Sequence, residues 1–101
     1  MIKMCTLIKR RDGLTREAFR DWWLNRHAPV ARALPGLRRY QISYPIDEAE
    51  HDYDGMAELW FDSEAAMNRS FDSELGHQLL ADSQAHAAVR VRIAMRENWV
   101  R

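Results

Sequence analysis

The spacing of hydrophobic and polar positions changes several times along the chain, and each change marks an element. Ile2, Met4, Thr6 and Ile8 alternate with Lys3, Cys5, Leu7 and Lys9, a strand pattern closed by the turn Arg10-Arg11-Asp12-Gly13. From Thr15 to Leu34 the step lengthens to three and four residues: Phe19, Trp22, Trp23, His27, Val30, Ala31 and Leu34 share the stripe of an amphipathic helix. Thr15 suits the N-cap, Glu17 complements the helix dipole, and Leu14 and Phe19 hold the positions of a hydrophobic staple. Pro29 lacks an N–H and its ring crowds the carbonyl of Asn25, so a kink or break is predicted near His27. Pro35-Gly36 ends the helical segment.

Leu37 to Tyr44 reads as a second strand, with Tyr40, Ile42 and Tyr44 on one face and Pro45 stopping the run; 47–55 is a polar loop. Met56 to Phe61 is a third strand, splitting Met56, Glu58 and Trp60 from Ala57, Leu59 and Phe61. Asp62-Ser63 caps a second helix, and Asp72-Ser73-Glu74 restarts it, so that it is predicted in two pieces reaching about Ser83. Val89, Val91, Ile93 and Met95 alternate with Arg90, Arg92, Ala94 and Arg96 in a fourth strand whose run reaches Trp99 and Val100.

The order βαββαβ predicts a ferredoxin-like α+β fold, a four-stranded antiparallel sheet with two helices on one face, in a single domain over residues 1–101. Two helices cover one face only. Apolar residues on both faces of the first and third strands therefore call for a second cover, which a sheet-to-sheet homodimer supplies.

Composition narrows the partners. Fifteen Lys plus Arg balance fifteen Asp plus Glu with no basic block, which argues against nucleic acid and anionic membrane. The apolar opening is far too short for a membrane span and no cleavage-site pattern follows it; with Cys5 as the lone cysteine, a cytoplasmic location is expected. His27, His51, His77 and His86 show no recognised metal spacing, and no nucleotide-binding or triad signature occurs, so neither a metal nor a cofactor is expected.

The run Phe19-Arg20-Asp21-Trp22-Trp23-Leu24-Asn25-Arg26-His27-Ala28-Pro29-Val30-Ala31, closed by Leu34-Pro35-Gly36-Leu37-Arg38-Arg39-Tyr40, resembles the EthD family. Asp54-Gly55-Met56-Ala57-Glu58-Leu59-Trp60-Phe61 resembles its third-strand motif. The resemblance implies a dimeric α+β barrel, two ferredoxin-like sheets face to face, with a pocket between sheet and helices in each subunit. It implies less about chemistry, because the family joins a methylmuconolactone isomerase, polyketide-tailoring enzymes and many members without assigned activity.

Candidate chemistry centres on His27. An imidazole on the apolar stripe beside a proline-disrupted turn can exchange a proton near neutral pH; the plain alternative is a core histidine with satisfied nitrogens. The characteristic histidine that the resemblance places here makes it the first choice. Asp54 could orient it, though Asp-Gly is more often just a turn. Trp22, Trp23 and Trp60 could wall a substrate pocket, with Tyr40 or Tyr44 donating to a carbonyl, against ordinary core packing. Arg90, Arg92 and Arg96 could bind a carboxylate, against the more usual solvated edge or dimer-rim ion pair.

The leading expectation is a cofactor-independent isomerase, cyclase or lyase that moves a proton on a lactone, polyketide or aromatic-derived carbonyl compound. The alternatives are a haem-binding monooxygenase with His77 as ligand, a cofactor-free monooxygenase, or a non-catalytic accessory or binding protein.

Overall fold

Four strands and two interrupted helical segments make up the computed structural model, which describes residues 1–47 and 49–101. The strands are β1 (Ile2–Arg10), β2 (Arg39–Ser43), β3 (Gly55–Phe61) and β4 (Ala87–Arg96). They form one sheet in the order β2-β3-β1-β4, every neighbouring pair antiparallel. This is the ferredoxin-like arrangement that the βαββαβ order predicts.

The first helical segment starts where its sequence directs: the Thr15 hydroxyl accepts from the Ala18 N–H at 3.0 Å, and α1 runs Arg16–Asp21. The irregularity expected near His27 is present, but the helix does not end there. The backbone instead widens into a π-helical turn over Trp22–His27, with the Ala28 N–H donating to the Trp23 carbonyl, and continues as α2 (Ala28–Ala31). Pro29 cannot donate to Asn25 and its ring needs room behind it; widening the preceding turn meets both demands without ending the helix.

The second segment is divided as predicted. Ser63 caps α3 (Glu64–Asp72) by accepting from Ala66, while Asp62 pairs with Arg38. Ser73 caps α4 (Glu74–His86) by accepting from Gly76, and α4 passes the predicted end at Ser83 to run directly into β4. The two pieces meet so tightly that a methyl at Gly76 would fall within 3.0 Å of the carbonyl oxygens of Ser70 and Phe71. β4 ends at Arg96, leaving Trp99 and Val100 exposed beyond the sheet.

The core lies between the helices and one sheet face. Phe19 and Phe61 have no exposed surface, and Trp22, Trp23, Leu34, Met67 and Leu79 pack with Ile2, Ile8, Ala57 and Leu59. In an antiparallel pair, directly opposed residues share a face. Thr6 opposes Ala57 and Arg92, and Ile8 opposes Gly55 and Arg90, so the face of Ile2, Met4, Thr6 and Ile8 carries arginines on β4. Val91 and Ile93 oppose Leu7 and Cys5 on the other face, where Val89, Ile93 and Met95 are exposed. The apolar stripe of β4 thus turns away from the helices.

Candidate active site

Between helices and sheet lies a cavity of about 230 Å³. Thr6, Ile8, Leu59 and Tyr40 come to it from the sheet, Trp23 and His27 from the first helical segment, and Leu79 and Ser83 from α4. Apolar walls with a few polar groups converging on one space are the composition of a small-molecule site.

His27 closes the π turn, and the turn determines what it meets. In a regular α-helix residues five apart diverge; here the rings of Trp22 and His27 stand 4.9 Å apart between centroids. The His27 Nδ1 lies 2.8 Å from Asp82 Oδ2 of α4, and the Trp22 Nε1–H donates to the same carboxylate at 3.2 Å. His86, one turn beyond Asp82, stacks on Trp22 at 4.2 Å and places its Nδ1 2.8 Å from the Asp82 carbonyl oxygen. The Asp82 carboxylate fixes the Nδ1–H tautomer of a neutral His27, which leaves the Nε2 lone pair as its free base.

Burial lowers the His27 pKa below its ordinary 6.5, overcoming the hydrogen bond and charge of Asp82 that act the other way; the charges of Arg90 and His86 lower it further. The ring is therefore neutral at pH 7. Burial also pushes the Tyr40 pKa up to about 12, so its hydroxyl stays a donor throughout the neutral range. A base held in one tautomer and a protonated phenol line the same cavity.

The sequence-predicted residues separate into groups. His27, Trp23 and Tyr40 line the cavity together. Trp22 backs His27 and Asp82 and is absent from the lining. Trp60 lies on the opposite sheet face, its Nε1–H donating to Glu97 at 3.0 Å between the side chains of Lys3 and Arg39, and is no pocket wall. Tyr44, 45% exposed, stacks against the Arg20 guanidinium.

Asp54 does not orient His27. Its carboxylate takes the Arg10 N–H at 2.7 Å and the Arg10 guanidinium, while its own N–H donates to the Ile8 carbonyl, so it ties the end of β1 to the start of β3. The aspartate that meets His27 is Asp82, 55 positions further along. The sequence puts Asp82 and His86 one helical turn apart on one face of α4, but nothing local brings that face to His27. Of the three arginines weighed as a carboxylate site against a solvated edge or dimer-rim ion pair, Arg90 and Arg92 line the cavity; Arg96, which pairs loosely with Glu64, is not among the lining residues. His77, exposed on the first turn of α4, is at the cavity too. Among the described residues no group of three or more potential ligands is arranged to hold a metal ion, and no helix is long and apolar enough to cross a membrane.

Comparison with known proteins places this architecture. The chain superposes on an ethyl tert-butyl ether D family protein of Bacillus halodurans with a TM-score of 0.85 and 22% identity, covering 97% of this chain and 99% of that one. A dimeric ferredoxin-like protein of unknown function from Thermobifida fusca gives a TM-score of 0.76 and 20% identity over 93% and 88% of the two chains. The cofactor-independent oxygenase SnoaB of Streptomyces nogalater gives 0.73 and 12% over 98% and 94%. At these identities the likenesses establish the fold. No curated protein sequence matches the chain. The EthD domain matches residues 11–88, from the turn after β1 to the start of β4. Carried by that match and by the shared fold, the chain is a member of the EthD family.

Proposed function

We propose that this protein is a cofactor-independent acid/base enzyme that moves a proton on a small lactone, polyketide or aromatic-derived carbonyl compound. The observation that carries the reading is the 2.8 Å contact between His27 Nδ1 and Asp82 at the wall of the helix–sheet cavity. His27 Nε2 takes a proton from the carbon beside the carbonyl; the C–H bond breaks, an N–H bond forms, and the electron pair moves to the carbonyl oxygen. Tyr40 supplies a hydroxyl donor for that oxygen, and Asp82 steadies the imidazolium. Return of the proton to a different atom completes an isomerisation; loss of a leaving group completes a lyase reaction. Trp23, 2% exposed, gives the substrate a flat apolar wall.

Solvent exchange tests this even while the product is unidentified. Small ketones, lactones and aromatic-derived acids incubated in D2O with the protein are expected to gain deuterium beside the carbonyl, and to gain none above background with His27→Asn. Oxygen consumption without exchange, or a Soret band on haemin addition that depends on His77, would move the assignment to an oxygenase. Saturable binding with neither would make the protein a carrier.

The same proposal includes a homodimer through the uncovered sheet face. Val89, Ile93 and Met95 are 42%, 51% and 44% exposed and adjoin Leu7 and Cys5, an apolar strip that a second sheet would cover. Sedimentation at micromolar concentration is expected to give twice the 11.9 kDa chain mass, and an Ile93→Lys variant to shift toward the monomer. A monomeric wild type would end this part of the proposal.

A further inference from the structure

Arginines are seldom placed in a cavity without an acid to meet them. Arg90 and Arg92 line this one from β4, two residues apart on the helix-facing side of the sheet, opposite Ile8 and Thr6. Neither guanidinium forms an ion pair or hydrogen bond among the described residues, and the buried Arg90 Nε has no partner. Arg92, open to solvent along one side, lies with its guanidinium 4.6 Å from the Phe71 ring centroid, a contact that holds its position without neutralising its charge. Asp72 is the single carboxylate of the lining, it is exposed, and it pairs with neither arginine.

The electrostatics follow from that inventory. With His27 neutral, two guanidinium charges face one exposed carboxylate, so the cavity is positive. Burying an unpaired guanidinium costs free energy that a hydrogen-bonded anion would recover. Both arginine pKa values are lowered, first by desolvation, the mark of a cation short of a counter-charge. The dimer face lies on the other side of the sheet, so a partner sheet packed there would not supply the acid. Around the arginines the walls are Ile8, Leu79 and Phe71, which suit an organic body rather than a hydrated inorganic ion.

We propose that Arg90 and Arg92 form a carboxylate-binding subsite, and that the ligand of this cavity is therefore an organic acid with an apolar ring or chain. Guanidinium forks match the planar carboxylate, forming paired N–H donations to its two oxygens. The proposal deepens the acid/base reading: anchored at β4, the acid presents its body to His27 and Tyr40. The arginines are positioning groups and take no proton.

The test is a comparison of charged and neutral probes of one shape. Benzoate and cyclohexanecarboxylate are titrated into the protein beside their methyl esters and carboxamides, and binding is followed through arginine Nε–H resonances. The acids are expected to bind saturably and at least about tenfold more tightly than the neutral partners, and to shift the Arg90 signal. In Arg90→Gln/Arg92→Gln the preference for the acid is expected to vanish; in His27→Asn it is expected to survive. That separates failure of this subsite from failure of the proton-transfer reading. Equal affinity for acid and ester, a preference that outlasts the double substitution, or inorganic phosphate displacing benzoate at comparable concentration would each overturn it. Should the double variant not fold, the acid-to-ester ratio and the Arg90 shift of the wild type decide.

Discussion

The His27→Asn protein is expected to keep its fold while losing turnover about a hundredfold or more on any substrate that the exchange experiment identifies. Asparagine fills a similar space and can still donate to Asp82, so packing against Trp22 changes little; what disappears is the base. Asp82→Asn is expected to behave differently. Asp82 touches no substrate in this scheme, and its carboxylate raises the His27 pKa against the lowering by burial. Removing its charge should lower the pKa seen in the pH–rate profile, with the maximal rate reduced by the loss of a fixed tautomer. A merely structural Asp82 would leave the profile in place. Stability carries the same signature. The folded pKa of His27 lies below its unfolded value near 6.5, so the unfolded chain holds more protons in the interval between the two. The associated stability is present above pH ~6.5 and is lost as pH falls through the folded pKa. Melting temperatures across that window are expected to fall less for His27→Asn than for the wild type. Identical slopes, or a stable variant with full activity, would remove His27 from the mechanism.

Gly76→Ala is expected to lower the melting temperature by about 10 °C or more, even though helix propensity argues the other way. In an exposed helix interior alanine would gain about 1 kcal/mol over glycine. At Gly76 the added methyl would meet the carbonyls of Ser70 and Phe71, and backbone cannot swing aside as a side chain can. Relieving that overlap means moving α4 off the end of α3, at a cost of about 2–3 kcal/mol beyond what the propensity returns. A domain of this size loses roughly 4–8 °C per kcal/mol. Because α4 also carries Asp82, the His27 pKa should shift in the same variant. A protein melting as the wild type does would show that the junction between α3 and α4 can slide.

The strands themselves, the helix starts at Thr15, Asp62-Ser63 and Asp72-Ser73-Glu74 and the division between α3 and α4 were legible because each depends on residues within a few positions. β4 was legible as a strand and illegible as a surface. Its alternation of Val and Ile with Arg states that two faces differ, and ordinary experience assigns the apolar one to the core. Only the register with β1 shows that the arginines face the helices. Asp54 and Asp82 illustrate the same limit: both are aspartates near an element end, and which one meets His27 is settled by how α4 packs across the sheet. Trp60 was offered as a pocket wall for its large ring, yet the alternation of β3, which sets it against Leu59 and Phe61, sends it to the other side.

The π turn over Trp22–His27 ties the number of residues in this helix to Pro29. Such a turn holds one residue more than the α-helix it interrupts. Excising a single residue there, Asn25 for instance, would leave Trp22 and His27 four apart, a spacing that the closed α-helical ladder again puts on one face, so both could still reach Asp82. What the excision would take away is the room behind the proline ring. Among related sequences, a one-residue gap in this helix is therefore expected to accompany loss of the proline rather than loss of the His27–Asp82 pair.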